Sequence, residues 1–342
     1  VQTSHIACSV ISVVDDAHRP SQNGRNKMTE DRRYTLYCYD QIRIAAGEIL
    51  TLYGNFDGKW CRARLSFYPC MYSKRILLGT GYKKTDYETG CAISGCRKVL
   101  DLPGEQHFLV HRSQIVGIYR PQDAFAILKP VDFDGCMSVI KIMETCGLQR
   151  AQHGLMGSRA LRGALATSDY DWVIYDGDPF RVKECVTHDA RFARELTFPI
   201  EYVYTKYKNF TGFERADIDA LFANRWKYVR YGNLNVSFSF CDTQQRSDDL
   251  LDVTRVYQRV TVTGVITTAT GCYYSPRTMS IDCGNKHIDV LTWLFLYNGA
   301  FQDGDVVEIS GRMCVTALGC YLLVESRHDY IRKVRTIIGG GK

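Results

Sequence analysis

One segment, residues 157–176 (GSRALRGALATSDYDWVIYD), constrains the fold of this 342-residue chain more than any other. Within it, Asp169 and Asp171 are separated by one residue and lead into an apolar run typical of a strand. Side chains alternate along a strand, so the two carboxylates are expected on one face and close together. They repel each other unless a cation lies between them, and Mg²⁺ prefers such oxygen ligands. The segment therefore predicts a metal site at the edge of a sheet.

The start of the same segment predicts a phosphate site beside the metal. Gly157 permits close approach of a backbone, and Ser158 begins a predicted short helix, SRALRGAL, whose amino-terminal amides favour an anion. Arg159 and Arg162 would add positive charge. Each feature is common alone, because Asp-x-Asp occurs often and Gly-Ser before a helix is ordinary capping. Their combination predicts a site for a metal and a nucleotide.

The first part of the chain predicts a β-rich amino-terminal domain, residues 1–128. Aromatic and β-branched stretches alternate there with glycine-containing breaks, which is typical of strands. The predicted strands fall within residues 34–40, 49–54, 60–68 and 107–119. Residues 18–33 are polar and rich in turn formers, which predicts an exposed loop.

The character changes at residue 129, and residues 129–248 predict a central α/β domain. Apolar residues recur at helical spacing in residues 129–148, and Gly147 lies where the end of a helix is expected. After the opening segment, strands and helices are predicted to alternate. In order, they are a strand at 171–176, a helix at 180–195, a strand at 198–207, a helix at 215–229 and a strand at 234–240.

Residues 249–335 predict a small carboxy-terminal β-barrel, because short strands alternate there with glycine turns and no long helix intervenes. The five-stranded oligonucleotide-binding (OB) barrel is one candidate. Residues 336–342 predict a flexible tail. The chain as a whole is thus expected to be an α+β multidomain protein.

Composition narrows the expected partners and compartment. The net charge of +6 is a mild bias toward anionic partners. The longest strongly apolar run, residues 290–297, is far shorter than the roughly 20 residues that cross a bilayer, so no membrane span is expected. Fourteen scattered cysteines favour a reducing compartment, the cytoplasm or an organelle matrix such as the mitochondrion, with most thiols buried. The 22 tyrosines favour a place in a larger assembly.

The order Gly-Ser, short helix and Asp-x-Asp on a strand resembles the signature of the DNA polymerase beta-type nucleotidyltransferase superfamily. More narrowly, the chain is similar to predicted archaeal nucleotidyltransferases of unassigned substrate, whose TGS…SDIDLVVYG corresponds to MGSRALRGALATSDYDWVIYDG here. The likeness extends outward over roughly residues 50–330. Its further matching segments are residues 58–69, 110–130 and 216–240.

The resemblance implies Mg²⁺-dependent transfer of a nucleotidyl group from a nucleoside triphosphate to an acceptor hydroxyl or phosphate, with pyrophosphate leaving. By matching positions, it implies that Asp169 and Asp171 are the catalytic, metal-binding carboxylates. It likewise implies that Gly157 and Ser158 bind the phosphates of the nucleotide. The fold it implies is a nucleotidyltransferase-type domain at residues 129–248.

The sequence departs from the superfamily at the expected third carboxylate, which active members carry on a later strand. The corresponding strand, residues 234–240, offers Asn235, Ser237 and Ser239 on one face and no acid. The nearest acids in the sequence are Asp242, just past its end, and Glu201, on the preceding predicted strand. Two hypotheses therefore stay open: an active nucleotidyltransferase, or an inactive subunit of the same fold that binds RNA, DNA or protein.

Two further sets of residues are candidate sites. Arg225 and Lys227 lie on the predicted helix at 215–229 among aromatic residues, and such a mixture engages nucleotide phosphates and bases. The alternative is a solvated helix face with core aromatics. The second set has the spacing C-x4-C-x10-H-x3-H, which approaches that of a zinc site, or else is a loop with buried thiols and surface histidines. Its members are Cys91, Cys96, His107 and His111.

Overall fold

The structure is a computed structural model of the chain. The residues it describes lie in one compact unit that begins at Thr35. They are residues 35–77, 80–85, 92–102, 105–128, 130–165, 168–188, 201, 204, 213–223, 226–231, 234–251 and 253–334. The predicted loop at 18–33 and the predicted tail at 336–342 lie outside them.

The chain is rich in β structure, as predicted, and its first sheet has eight strands. Its main path runs β4-β5-β3-β2-β1-β8, with β7 beside β3 and β6 beside β7. The strands are β1 (Gln41–Ile44), β2 (Ile49–Leu52), β3 (Trp60–Pro69), β4 (Ile76–Leu77), β5 (Thr80–Lys84), β6 (Arg97–Leu102), β7 (Glu105–His111) and β8 (Ile115–Tyr119).

The strand predicted at residues 34–40 is wrong for the residues described there. Leu36 forms a single bridge with Phe56, and Cys38 and Tyr39 form a turn. Tyr39 has a φ of +72°, outside the extended range of a strand. Tyr39 is nevertheless buried, so an aromatic residue that suggested a strand packs in a turn instead.

The second sheet has four strands in the order β11-β12-β10-β9. β10 and β12 run parallel, and the two outer pairs are antiparallel. Its strands are β9 (His153–Met156), β10 (Tyr170–Tyr175), β11 (Tyr228–Tyr231) and β12 (Leu234–Cys241). The sequence predicted β10 and β12 nearly to the residue. That this sheet belongs to a nucleotidyltransferase-type α/β domain stays a prediction.

The described helices are few and short. They are α1 (Pro130–Thr145), α2 (Gly157–Ala160), α3 (Pro179–His188), α4 (Arg215–Phe222) and α5 (Asp248–Leu251). Val139 and Met143 of α1 and Val182 of α3 pack in one hydrophobic cluster with Trp172 and Phe238 of the second sheet. One face of this sheet is thus covered by helices, which buries the apolar half of β10 and β12.

Two predicted elements of the central region differ from the structure. The helix predicted at 215–229 ends at Phe222, because Tyr228–Tyr231 instead pairs with β12 as β11. Of the strand predicted at 198–207, the structure describes Glu201 and Tyr204, and both are helical. In each case a run of aromatic and β-branched residues fitted both a helical and a strand pattern, and the tertiary context decided between them.

The carboxy-terminal region is a closed five-stranded barrel, as predicted. The strands follow the order β13-β14-β15-β17-β16 and close by pairing of β13 with β16. β15 and β17 are parallel, and β18 adds to β16 at the outside. The strands are β13 (Arg255–Thr268), β14 (Arg277–Asp282), β15 (His287–Thr292), β16 (Val306–Thr316), β17 (Gly319–Leu323) and β18 (Tyr330–Lys333).

The three sheets share hydrophobic cores. Leu291 and Trp293 of the barrel region pack with Ile42 and Leu50 of the first sheet. Another cluster joins Leu100 of the first sheet to α4 and the barrel interior. The predicted domain limits at residues 128 and 248 therefore run through regions that are packed together, and they stay a prediction.

The cysteines depart in part from the expectation of buried, reduced thiols. Ten of the twelve described cysteines are free, and six of these ten are buried. Cys146 and Cys185, however, form a disulfide that joins the end of α1 to α3. In the part of the chain that the structure covers, no helix combines the length and the apolarity that a membrane crossing requires.

Candidate functional site

The Asp-x-Asp segment lies at the start of the central strand of the second sheet. β10 is buried along most of its length and has a neighbour on each side. Asp171 is opposite Ser237 of β12 and opposite Met156 of β9. Met156 immediately precedes Gly157, so the register brings the Gly-Ser pair beside the aspartates, as the sequence predicted.

Both oxygens of the Asp171 carboxylate have close neighbours. The Ser237 hydroxyl donates a hydrogen bond of 2.7 Å to Asp171 Oδ1. On the other side, a β-carbon added to Gly157 would lie 2.7 Å from Asp171 Oδ2. Gly157 has a φ of +76°, a conformation that favours glycine. The absence of a side chain at residue 157 is therefore what lets the carboxylate approach the backbone.

Asp171 is poised to change its protonation state near neutral pH. Burial and, second, the neighbouring Asp169 carboxylate raise its pKa from 3.8 to about 6. Lys84 and Arg64 of the first sheet and the hydrogen bond from Ser237 act in the opposite direction. The two aspartates are thus close enough to repel each other, and basic residues of the first sheet stand nearby.

The turn that carries Gly157 and Ser158 is anchored to the first sheet. The Gly157 amide donates to Gln41 Oε1 at 3.0 Å, and Leu161 is fully buried against Leu77 and its neighbours. The predicted helix SRALRGAL is shorter than expected, since α2 ends at Ala160 and Arg162 has a φ of +60°. Ser158 is partly exposed beside the aspartates, but one helical turn carries too small a dipole to bind phosphate by itself.

Arg159, predicted to contact the nucleotide, is engaged by the protein. Its guanidinium is buried, forms an ion pair with Asp132 of α1 and lies 3.9 Å from the centre of the Tyr170 ring. Its Nε donates to the carbonyl oxygens of Ser168 and Asp169, each at 3.1 Å. These contacts hold the loop before β10, and a nucleotide would have to compete with them.

The helix that was predicted to carry Arg225 and Lys227 ends at Phe222, before both residues. Arg225 lies outside the described residues. Lys227 lies just before β11 and is buried, and its ammonium is 5.7 Å from the centre of the Tyr273 ring in the barrel region. Its expected place on an exposed helix face is therefore wrong, because the helix ends before it.

A third carboxylate is not part of the site in the described residues. Ser237 occupies the position on β12 beside Asp171. Glu201 is exposed and paired with Arg215, and Asp242 Oδ1 accepts from the Gln244 amide. Across the parts of the chain that are described, no group of three or more His, Cys, Asp or Glu side chains is arranged to hold a metal.

The zinc hypothesis does not fit the geometry of His107. Arg62 Nε donates to His107 Nδ1 and His107 Nε2 contacts Glu105 Oε2, each at 3.1 Å. Burial lowers the His107 pKa to about 4, so the ring is neutral and both of its nitrogens are occupied. Cys96 Sγ contacts Gln114 Oε1 at 3.4 Å, whereas Cys91 lies outside the described residues.

Sequence reasoning missed Arg64, Lys84 and Gln41 as neighbours of the aspartates. All three belong to the first sheet, far from the motif in sequence, and no local pattern marks them. Ser237 did carry a signal, since it lies on the one polar face of an otherwise apolar strand. No protein-family model, curated protein or solved structure matches this chain. Its function is therefore inferred from the geometry of the site.

Proposed function

We propose that the chain is a Mg²⁺-dependent nucleotidyltransferase that transfers a nucleotidyl group from a nucleoside triphosphate to an acceptor. The observation that carries this proposal is the convergence of Asp169, Asp171 and Gly157 at one end of β10, with Ser237 bonded to Asp171. Carboxylate and hydroxyl oxygens are the donors that Mg²⁺ prefers. The resemblance of the motif to the DNA polymerase beta-type superfamily supports the same proposal.

The residues present suit a divalent cation. Asp169 and Asp171 would hold it, and a dication would relieve the repulsion that raises the Asp171 pKa. When bound, Mg²⁺ supplies positive charge to the phosphates and to the oxygens that exchange there. The chain itself supplies Arg64 and Lys84 as cationic neighbours, and the partly exposed Ser158 offers a hydroxyl donor to a phosphate, whereas the Gly157 amide is engaged by Gln41.

The second candidate is an inactive subunit with the same fold, and the observation that favours it is Ser237 in place of a third acid. A site with two carboxylates can retain a nucleotide without turnover. The barrel's strand order, with β15 and β17 parallel, is consistent with the OB-like fold that binds oligonucleotides. Its β14–β15 face, however, carries Asp282 and Asp289, which favours a protein partner over RNA or DNA.

An incubation with each labelled nucleoside triphosphate, Mg²⁺ and candidate acceptors tests the first candidate. The full chain is compared with the double variant D169N/D171N and with D249N, which removes an exposed acid of α5. Transfer by the wild type and by D249N but not by the double variant supports catalysis at the site. Equal signal from all three proteins rejects it. Location inside the cell and a place in a larger assembly stay predictions.

If none of the three proteins shows transfer activity, binding measurements distinguish the second candidate from a purely structural role of the aspartates. Nucleotide or partner binding that survives D169N/D171N would favour the inactive subunit. A native pull-down from the source cells that recovers no nucleic acid or protein would count against it.

A further inference from the structure

A second group of polar residues lies inside the protein, around Arg277 of β14. Arg277 is fully buried, and none of its three side-chain nitrogens has a hydrogen-bond partner among the described residues. Its charge faces aromatic rings: the guanidinium carbon is 5.9 Å from the centre of the Tyr53 ring and 5.4 Å from that of Phe295. A buried guanidinium without an anionic partner costs several kcal/mol, so it points to a ligand that supplies one.

The titratable groups around Arg277 do not neutralise it. Burial raises the pKa of Cys38 and of Cys272 to about 12 and the pKa of Tyr39 well above its usual value, although Arg277 lowers all three. Tyr53 follows the same pattern. These four groups are therefore uncharged at neutral pH.

Four acids raise the pKa of the titratable groups around Arg277. Asp40 raises the pKa of Cys38, and Glu105 raises that of Tyr53. The Glu105 carboxylate already accepts hydrogen bonds from the Phe295 amide and from His107. Asp305 and Asp303 raise the pKa of Cys272. In the described structure Arg277 forms no ion pair with any of them.

Two more polar residues are linked to Cys272, whose thiol pKa Arg277 lowers. Asn298 is 3% exposed, and its amide oxygen and nitrogen both lack a partner within the described structure. Its neighbour Gly299 donates its amide to the Cys272 carbonyl at 2.8 Å. A β-carbon on Gly299 would lie 3.0 Å from Lys227 Nζ, and Lys227 also lowers the Cys272 pKa. The charges of Arg277 and Lys227 therefore both act on the Cys272 thiol, and Asn298 directly precedes the glycine that is bonded to the Cys272 carbonyl.

We propose that Arg277, with Asn298 and Lys227, binds a phosphoryl group inside the protein. A guanidinium offers a planar fork of donors that matches two phosphate oxygens, and a phosphate supplies the anionic partner that Arg277 lacks among the described residues. Asn298 adds a further donor. Because the required charge is carried by the barrel and by the residue that precedes β11, this site does not depend on a metal at Asp169 and Asp171.

A further cation, Arg64, lies near the same two rings as Arg277. The partly exposed Arg64 lies over the same two rings, 5.4 Å from the centre of Tyr53 and 5.9 Å from that of Phe295. Arg64 also lowers the pKa of Asp171. Arg64 thus acts on the aspartates and lies near the same two rings as Arg277, so the phosphoryl group can belong to free phosphate or to a nucleotide bound at the aspartates.

The test measures thermal stability and heats of binding for the full chain in EDTA, with chloride at matched ionic strength as the blank. Inorganic phosphate and a nucleoside triphosphate are titrated in separate arms. We expect at least one arm to raise the Tm of the wild type, because a ligand that binds only the folded state stabilises it. R277M should weaken that binding about thirtyfold or more, and R277K should retain part of it.

Arg62 provides the matched control. It is also buried and lies over a ring, 4.5 Å from the centre of Trp293, but it is paired with Glu325. R62M should lower the Tm without phosphate and keep the phosphate-induced shift. Without phosphate, R277M should lower the Tm less than R62M does, because R277M breaks no ion pair. If R277M does not fold, R277K replaces it, and its heat of phosphate binding is compared with that of the wild type.

The outcomes separate this site from the proposed catalysis. D171N should keep the phosphate-induced shift even though it abolishes transfer. A shift only with the nucleotide assigns the phosphoryl group to that nucleotide, and a shift with inorganic phosphate assigns it to the free anion. No shift in either arm, or an equal shift in the wild type and R277M, would overturn the proposal.

Discussion

The carboxylate of Asp171 occupies the side of Gly157 on which a side chain would stand, so that a β-carbon there would lie 2.7 Å from Asp171 Oδ2. This contact joins the glycine-serine turn to the aspartate pair, and it exists only because residue 157 has no side chain. The first prediction concerns this contact.

Gly157→Ala should lower the free energy of unfolding by about 2–4 kcal/mol, since it adds a clash to an unfavourable backbone conformation. Gly284→Ala is the matched control. Its φ of +70° is similar, but nothing lies within 4 Å of its added β-carbon, so it should cost about 1–2 kcal/mol. Urea denaturation measures both. In a D171A background the cost of Gly157→Ala should approach that of the control, and an unchanged cost would contradict the contact.

The second prediction concerns pH. The folded-state pKa of Asp171, about 6, is above its ordinary value of 3.8. Between about pH 4 and 6 the folded protein therefore keeps a proton that the unfolded chain has released, and this group's contribution to stability falls as the pH rises. The unfolding free energy of D171N relative to wild type should rise by about 1–2 kcal/mol across that window, after allowance for solvent screening.

If Mg²⁺ binds at the aspartates as proposed, it should reverse this trend, because it would bind the ionised carboxylate. Its stabilising effect on the wild type should be present above pH 6, decline below it and be absent from D169N/D171N. Thermal melts with and without Mg²⁺ at several pH values measure this. A Mg²⁺ effect of equal size in the double variant would place the cation elsewhere.

The third prediction tests the position of the missing acid. Ser237→Asp adds a carboxylate on β12 beside Asp171, so it should destabilise the protein in EDTA and raise its Mg²⁺ affinity by about tenfold. Asn235→Asp is the control, because residue 235 lies on the same face of β12 but is exposed. Titration calorimetry with MgCl₂ compares the two. Equal affinity in both variants would show that position 237 does not face the cation.

The fourth prediction separates a structural from a binding role for Arg159. Arg159→Met leaves the buried Asp132 carboxylate without its partner and should cost about 3–5 kcal/mol. The double variant R159M/D132L should recover most of that stability. If instead R159M were nearly neutral for stability but abolished nucleotide binding, the contact with Asp132 would be incidental.

The local patterns predicted a large part of this protein. Alternation and turn residues located β3, β10, β12 and the barrel, and Gly147 ended α1 at a φ of +78° as expected. The prediction was wrong where the same residues fitted both a helical and a strand pattern, as in Tyr228–Tyr231. The strand Tyr330–Lys333 was not predicted as a separate element, because its charged residues hide the alternation. Arg277 carried an unused signal, because it alternates with the buried Met279 and Ile281.

By itself, the sequence determined that two carboxylates share one end of a strand and that a glycine precedes them, because these features depend on backbone geometry over a few residues. Only the tertiary structure decided what surrounds them. Arg64 and Lys84 come from the first sheet, Ser237 from the parallel neighbour of β10, and Arg277 from the barrel. Electrostatic interactions act through space, and strand pairing and core packing brought these distant parts of the chain together.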